Sequence, residues 1–148
     1  MKLERNLLMN YSYKVPCQKE KLKDIRSFVS EVLHKHGVPE VQIATLVLAV
    51  DEVCANIIIH TYKCDPDEYV EIIIKVDKER NCVFEISDQG DKFDITQYQE
   101  PSMSEIIKNK RKGGIGLILV RKIMDDIELV KKDGHHVCRL TKKLGKVS

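Results

Sequence analysis

The sequence has almost no charge excess of either sign: 25 lysines and arginines face 23 aspartates and glutamates, for a formal net charge of +2. Such a balance gives no general electrostatic reason to bind nucleic acid or an anionic membrane. No uncharged apolar run approaches the roughly 20 residues that a membrane-spanning helix needs. The N-terminus, from Met1 to Asn6, also lacks the apolar stretch of a secretory leader. A cytoplasmic protein with no direct nucleic-acid or membrane partner is therefore expected.

The spacing of the cysteines and histidines indicates neither a disulfide framework nor a transition-metal site. The five cysteines are odd in number and contain no C-x-x-C pair, which predicts reduced thiols. Adjacent His135 and His136 would point to opposite faces of a strand, and His34 and His36 would not share a helix face. The histidines therefore do not indicate a transition-metal site.

Hydrophobic periodicity predicts one domain over residues 1–148, with eight regular elements. These are a strand at 7–13, helices at 19–36 and 39–61, strands at 69–76 and 82–87, a helix at 115–124, and a hairpin of 127–131 and 136–141. The second helix is apolar on nearly all sides, which predicts burial on most of them. The order of elements predicts an α+β fold: a two-layer sandwich with helices on one face of a mixed, mostly antiparallel sheet.

The long polar segment from Gly90 to Gly114 has few regular features and carries five lysines and arginines. A connection of this length within a compact domain is typical of a functional lid or of disorder. We expect residues 92–112 to form a lid that is mobile and closes over a ligand. The basic tail, 142–148, is expected to be frayed.

The second helix contains the first candidate site. Between Leu46 and Ile59 its strongly polar residues are Asp51, Glu52 and Asn56. Glu52 and Asn56 are four residues apart and so share a face. Burying a carboxylate and a carboxamide is costly unless both find partners. A ligand would satisfy them, and so would hydrogen bonds to a neighbouring strand.

Two further segments carry possible ligand chemistry. Asp88 and Gly90 follow a predicted strand, where a carboxylate can point into a pocket, although Asp and Gly are also ordinary turn residues. The run from Arg111 to Leu117 places glycines at a helix start, where free N–H groups and the helix dipole attract anions. A flexible loop with no ligand is the alternative. The run matches neither a Walker A loop nor a dinucleotide fingerprint.

Together the three segments, in this order and spacing, resemble the GHKL ATPase superfamily, and within it the bacterial anti-sigma-factor serine/threonine protein kinases. Residues 48–60 look like that family's N box, residues 88–94 like a shortened G1 box, and residues 113–125 like its G2 box. The resemblance extends from about Pro16 to Leu144. Lys92, Thr61 and His135 stand where the family often has other residues.

The resemblance implies a role for each candidate residue, with ATP and Mg²⁺ as the bound groups. Asn56 would bind Mg²⁺ through its side-chain oxygen, and Glu52 would be the general base. Asp88 would accept a hydrogen bond from the adenine amino group, and Gly90 would let the chain pass close to the base. Gly114 and Gly116 would offer backbone N–H groups to the phosphates, with Lys112 nearby, and the resemblance also includes Gly113, Ile115 and Leu117 among the nucleotide-binding residues.

The function implied by the resemblance is a serine/threonine kinase that phosphorylates an anti-anti-sigma (STAS-type) protein and sequesters a sigma factor. A homodimer is expected, with the first strand at its interface. The alternative is a non-catalytic module of the same fold that binds ATP or a partner and regulates by occlusion. A hydrolase-type motor subunit is less favoured, because such domains need a transducer domain to complete the site.

Overall fold

The computed structural model describes residues 9–56, 58, 68–88, 114–132 and 135–145, with the backbone alone at 88, 114–117, 131–132 and 135–136. The chain forms five strands and three α-helices in the described ranges. In order they are β1 (Met9–Pro16), a 3-10 turn (Lys19–Lys21), α1 (Leu22–Lys35), α2 (Glu40–Ala55), β2 (Tyr69–Val76), β3 (Asn81–Asp88), α3 (Gly114–Ile123), β4 (Asp126–Lys132) and β5 (His135–Lys143). Each corresponds to a predicted element.

The five strands form one sheet in the order β1-β2-β3-β5-β4, and each neighbouring pair is antiparallel. The predicted α+β architecture is confirmed. The mixed character expected of the sheet does not occur among the described strands. The strand order explains why. β3 and β4 run in the same direction, but β5 lies between them, so they form no parallel pair.

One face of the sheet carries the core. Alternate residues of β2, from Val70 to Val76, are buried, as is Phe84 at the centre of β3. α1 contributes an apolar stripe with helical spacing, as predicted, consisting of Leu22, Ile25, Val29, Val32 and Leu33. Both α1 and α3 pack against α2. Among the described helices, none is long and apolar enough to cross a membrane.

A tight turn joins α1 to α2. Gly37 has a φ of 65°, a left-handed conformation that glycine adopts without strain. Its N–H donates to the carbonyl of His34, and the N–H of Val38 donates to the carbonyl of Leu33. This pair of bonds is a Schellman motif and satisfies carbonyls at the helix end. The turn makes α1 and α2 an antiparallel pair, with Pro39 leading into α2 as predicted.

The prediction that α2 is buried on most sides was wrong for its outer face. Ile43, Leu46 and Val50 are buried, but 81% of Val41 and 45% of Leu48 are exposed. An apolar residue carries no information about which side of a helix its neighbours cover. The helix was also predicted to extend to residue 61. The α-helix ends at Ala55, Asn56 and Ile58 continue with π-helical winding, and 57 and 59–61 lie outside the described residues.

The expectation of wholly reduced cysteines was also wrong. Cys17 is disulfide-bonded, to a partner outside the described residues. Cys54, Cys82 and Cys138 are free thiols, and burial raises the pKa of Cys82 to about 12 and that of Cys138 to about 11. An odd count and scattered spacing cannot indicate which cysteines the fold brings together.

Candidate functional site

The C-terminal end of α2 holds the two predicted polar residues on consecutive turns. Glu52 and Asn56 are both partly buried. The side-chain Nδ2 of Asn56 donates to the main-chain carbonyl of Glu52 at 2.8 Å. The backbone at Asn56 and Ile58 has the wider winding of a π-helix, a local distortion often found at functional sites. The helix therefore fixes the position of the Asn56 amide relative to Glu52.

This hydrogen bond tests whether Asn56 suits a magnesium ion. Because Nδ2 donates within the helix, Oδ1 is the atom of the amide that can accept a bond or coordinate a cation. Mg²⁺ prefers hard oxygen ligands and is commonly held by one or two protein oxygens together with substrate phosphates. The donor set at this end of α2 is therefore compatible with a nucleotide-bound Mg²⁺.

The beginning of α3 supplies the second part of the candidate site. α3 starts at Gly114, so residues 114–117 form its first turn, and α2 packs against α3. The first four N–H groups of an α-helix have no acceptor within the helix, and the helix dipole makes that end attractive to anions. The fold thus makes the helix that carries Glu52 and Asn56 a direct neighbour of the helix that begins in the glycine run.

Asp88 lies at the last position of β3. Its Cα is paired with Val70 of β2, and on the other side Ser87 is paired with Val137 of β5. Asp88 therefore lies at the end of a strand, as the sequence predicted, and that strand is interior to the sheet. Its side chain lies outside the described residues.

The remaining candidate residues lie outside the described ranges. These are Gly90, Lys112 and Gly113, together with the predicted lid at 92–112. Ile115, Gly116 and Leu117 are described through their backbone in the first turn of α3. The part of the site that the structure describes is therefore the α2 end, the α3 start and the β3 end.

An ion pair beside the site gives the two adjacent carboxylates of α2 different surroundings. Arg26 of α1 donates from Nη1 to Oδ1 of Asp51 at 3.0 Å. Asp51 thus links α2 to α1, whereas Glu52 is the next residue around the helix. Sequence spacing could not have identified Arg26 as a partner, because it lies 25 residues away on another helix.

Cys54 lies between these polar residues but is unsuited to nucleophilic chemistry. It is fully buried, and burial raises the pKa of its thiol strongly. A thiol reacts as the thiolate, so Cys54 is inert while the domain is folded. The carboxylate and amide of α2 therefore remain the candidates for chemistry at this position.

Several serine-protein kinases are similar to this chain. The kinase RsbW of Bacillus subtilis is 34% identical over 125 residues, which is 82% of this chain and 78% of the relative. RsbW of Bacillus licheniformis is 31% identical over 137 residues, covering 90% of this chain and 84% of the relative. The similarity therefore spans most of both proteins.

Solved structures show the same fold. The structure of the RsbU and RsbW domains of Rv1364c from Mycobacterium tuberculosis matches with a TM-score of 0.66 and 16% identity, over 93% of this chain and 33% of that one. The SiaB–SiaC complex from Pseudomonas aeruginosa matches with a TM-score of 0.61 and 11% identity, over 95% of this chain and 92% of that one. The sequence profile of one family, the histidine kinase-like ATPase domain, matches residues 15–142. The chain belongs to the histidine kinase-like ATPase domain family.

Proposed function

We propose that the chain is an ATP-dependent serine/threonine protein kinase. It transfers the γ-phosphoryl group of ATP to a serine of an anti-anti-sigma protein, and it binds a sigma factor as a cytoplasmic regulator of transcription. The main observation is the pairing of Glu52 with Asn56 on adjacent turns of α2, a helix that packs against the helix beginning in the glycine run, α3. The similarity to proteins named as serine-protein kinases supports the same activity.

In this reaction each described residue has a defined task. Mg-ATP, when bound, supplies the phosphoryl group and neutralises phosphate charge. Asn56 Oδ1 orients the metal, and the first N–H groups of α3 bind phosphate oxygens. Glu52 accepts the proton of the serine hydroxyl while the serine oxygen forms its bond to the γ-phosphorus. The bond from that phosphorus to the β,γ-bridging oxygen breaks, and ADP leaves with the electron pair.

We also propose that the chain acts as a homodimer with β1 at the interface. β1 is an edge strand of the described sheet, so one side of its backbone is not paired within the sheet. Such an edge is a ready template for pairing with another strand. Sedimentation at micromolar protein should give the mass of two chains, and a monomer under these conditions would contradict the proposal.

Calorimetric titration tests the nucleotide site. Asn56→Ala should weaken Mg-ATP binding about tenfold or more, because it removes the side-chain oxygen that orients the metal. Asp88→Ala should weaken it comparably by removing the acceptor for the adenine amino group. The control is Thr45→Ala on the same helix, since the Thr45 hydroxyl donates only to the Val41 carbonyl one turn back.

Chelation of Mg²⁺ separates the loss of the metal ligand at Asn56 from the loss of the adenine contact at Asp88. With EDTA in place of Mg²⁺, wild type and Asn56→Ala should bind ATP with similar affinity, whereas Asp88→Ala should remain weaker than wild type. Equal Mg-ATP affinity for all four chains would place the nucleotide elsewhere. No binding by the wild-type chain would favour a regulatory module that binds its partner without ATP.

A further inference from the structure

The outer face of α2 carries an exposed apolar stripe. Val41 is 81% exposed and Leu48 is 45% exposed, and Ala44 between them is also exposed. Isolated exposed apolar residues are common on protein surfaces, but a contiguous run on one helix face is a feature of interaction sites. The stripe is defined here as Val41, Ala44 and Leu48.

The stripe leads to the candidate catalytic carboxylate. Leu48 precedes Glu52 by four residues and Val41 precedes it by eleven, so all three lie on one face of α2. At about 1.5 Å per residue, Val41 is roughly 16 Å from Glu52 along the helix axis. A macromolecule that reaches Glu52 along this face of α2 therefore lies over Leu48.

A groove runs beside the stripe between α1 and α2, with a volume of about 660 Å³. Ser27 and Ser30 line it on the α1 side, and Ala44 and Val47 on the α2 side. Charged and polar side chains also line the groove: Lys23, Arg26, Glu31, His34 and Glu40. A partner seated there therefore meets apolar contacts from α2 within a charged surround, as at the rim of a protein interface.

Polar contacts between α1 and α2 lie at both ends of the groove. Arg26 contacts Asp51 at 3.0 Å at one end, and His34 Nε2 contacts Glu40 at 2.7 Å at the other. The groove is therefore a surface between two helices that pack against each other.

We propose that the stripe and its groove form the docking surface for the phosphoacceptor protein, which lies along α2 with its serine at Glu52. This inference rests on the kinase function proposed above. A standard protein interface buries about 800 Å² on each partner, a patch roughly 16 Å in radius. A patch of that size centred on Glu52 extends along α2 as far as Val41. The occupant is thus a folded acceptor domain with an apolar contact surface beside its serine.

The test compares two stripe variants with a matched control. The stripe variants are Val41→Glu, remote from the carboxylate, and Leu48→Gln, which adds no charge near it. The control is Leu129→Gln on edge strand β4, because Leu129 is 42% exposed and Leu48 45%. Anti-anti-sigma domains of the source organism are purified singly and titrated as acceptors in a radiolabelled ATP assay. Mg-ATP affinity is measured for every variant.

Both stripe variants should raise the KM for the acceptor about tenfold or more and leave kcat at saturation and Mg-ATP affinity unchanged. The Leu129→Gln chain should match wild type. Unchanged KM in both stripe variants would overturn the docking surface while leaving the kinase function intact. Conversion of a dimer to a monomer by either variant would also overturn it, because the stripe would then be a contact between two copies.

Binding measurements separate failure of docking from failure of catalysis. If no acceptor is phosphorylated, the proposed function fails, and binding of the same domains is titrated directly by calorimetry. Weaker binding by Val41→Glu and Leu48→Gln than by Leu129→Gln would still support the surface. Equal binding by all chains, or no binding to wild type, would overturn it.

Discussion

Glu52→Gln should reduce phosphoryl transfer to the acceptor serine by about 10²- to 10⁴-fold, the usual contribution of a general base. The substitution keeps the size and hydrogen-bonding shape of the side chain but removes its ability to take up the hydroxyl proton. Glu52 is partly buried on the turn of α2 that precedes Asn56, and its main-chain carbonyl accepts from Asn56 at 2.8 Å. That main-chain bond is retained in the variant, so Mg-ATP affinity should stay within about twofold of wild type.

The adjacent carboxylate provides the control. Asp51→Asn removes one negative charge from the same turn of α2, but Asp51 is held 3.0 Å from Arg26 of α1. This pair is partly exposed and is worth about 1 kcal/mol or less. Asp51→Asn should therefore retain transfer within a few-fold of wild type. Equal losses in both variants would mean that charge in this region matters, and that Glu52 is not the base.

The same experiment separates a kinase from a regulatory module. A module that only binds ATP or a partner has no use for a proton acceptor at position 52. If Glu52→Gln and wild type both sequester the sigma factor and neither forms phosphoserine, regulation by occlusion is the better description. If wild type forms phosphoserine and Glu52→Gln does not, the chain is a kinase that depends on the Glu52 carboxylate.

The sequence predicted the architecture because local patterns determine most of it. The apolar stripe of α1, from Leu22 to Leu33, has the helical period, and the alternation in β2 has the strand period. The break predicted between the helices at 19–36 and 39–61 falls at the turn that contains Gly37 and Pro39. The sequence likewise predicted that Asp88 lies at the end of a strand and Gly114 at the start of a helix, because these signals depend only on neighbouring residues.

Three features could not be predicted because they depend on distant parts of the chain. The exposure of Val41 and Leu48 depends on which side of α2 the other elements cover. The pairing of Asp51 with Arg26 depends on how α1 lies against α2. The bond at Cys17 depends on which cysteine the fold brings close to it. In each case the residue type was visible in the sequence, but its neighbour was not.

Strand register produced a further feature that the sequence concealed: a buried charged cluster around Glu85. Glu85 lies on β3 between the buried core residues Phe84 and Ile86, so it points to the sheet face opposite the helices. It is only 3% exposed. Its two carboxylate oxygens contact Lys75 Nζ at 3.1 Å and Arg139 Nε at 3.0 Å. The strands that flank β3 thus each supply a counter-charge.

Glu85→Ala should lower the free energy of unfolding by about 3 kcal/mol. The substitution removes the carboxylate and leaves the cations of Lys75 and Arg139 facing each other across β3. Glu85→Gln, which keeps the shape and some hydrogen bonds, should cost less. The loss would appear in urea titration as a lower midpoint with an unchanged slope, at fixed protein concentration.

Glu128→Ala is the matched control, because Glu128 approaches the same arginine at 3.9 Å but is 48% exposed. An exposed pair at that distance contributes little, so this variant should change stability by about 0.5 kcal/mol or less. In a chain that also carries Lys75→Met and Arg139→Met, the cost of Glu85→Ala should shrink by about 1 kcal/mol or more, because the counter-charges are already gone. An undiminished cost in that background would mean that Glu85 stabilises β3 by packing, and that its ion pairs contribute no net stability.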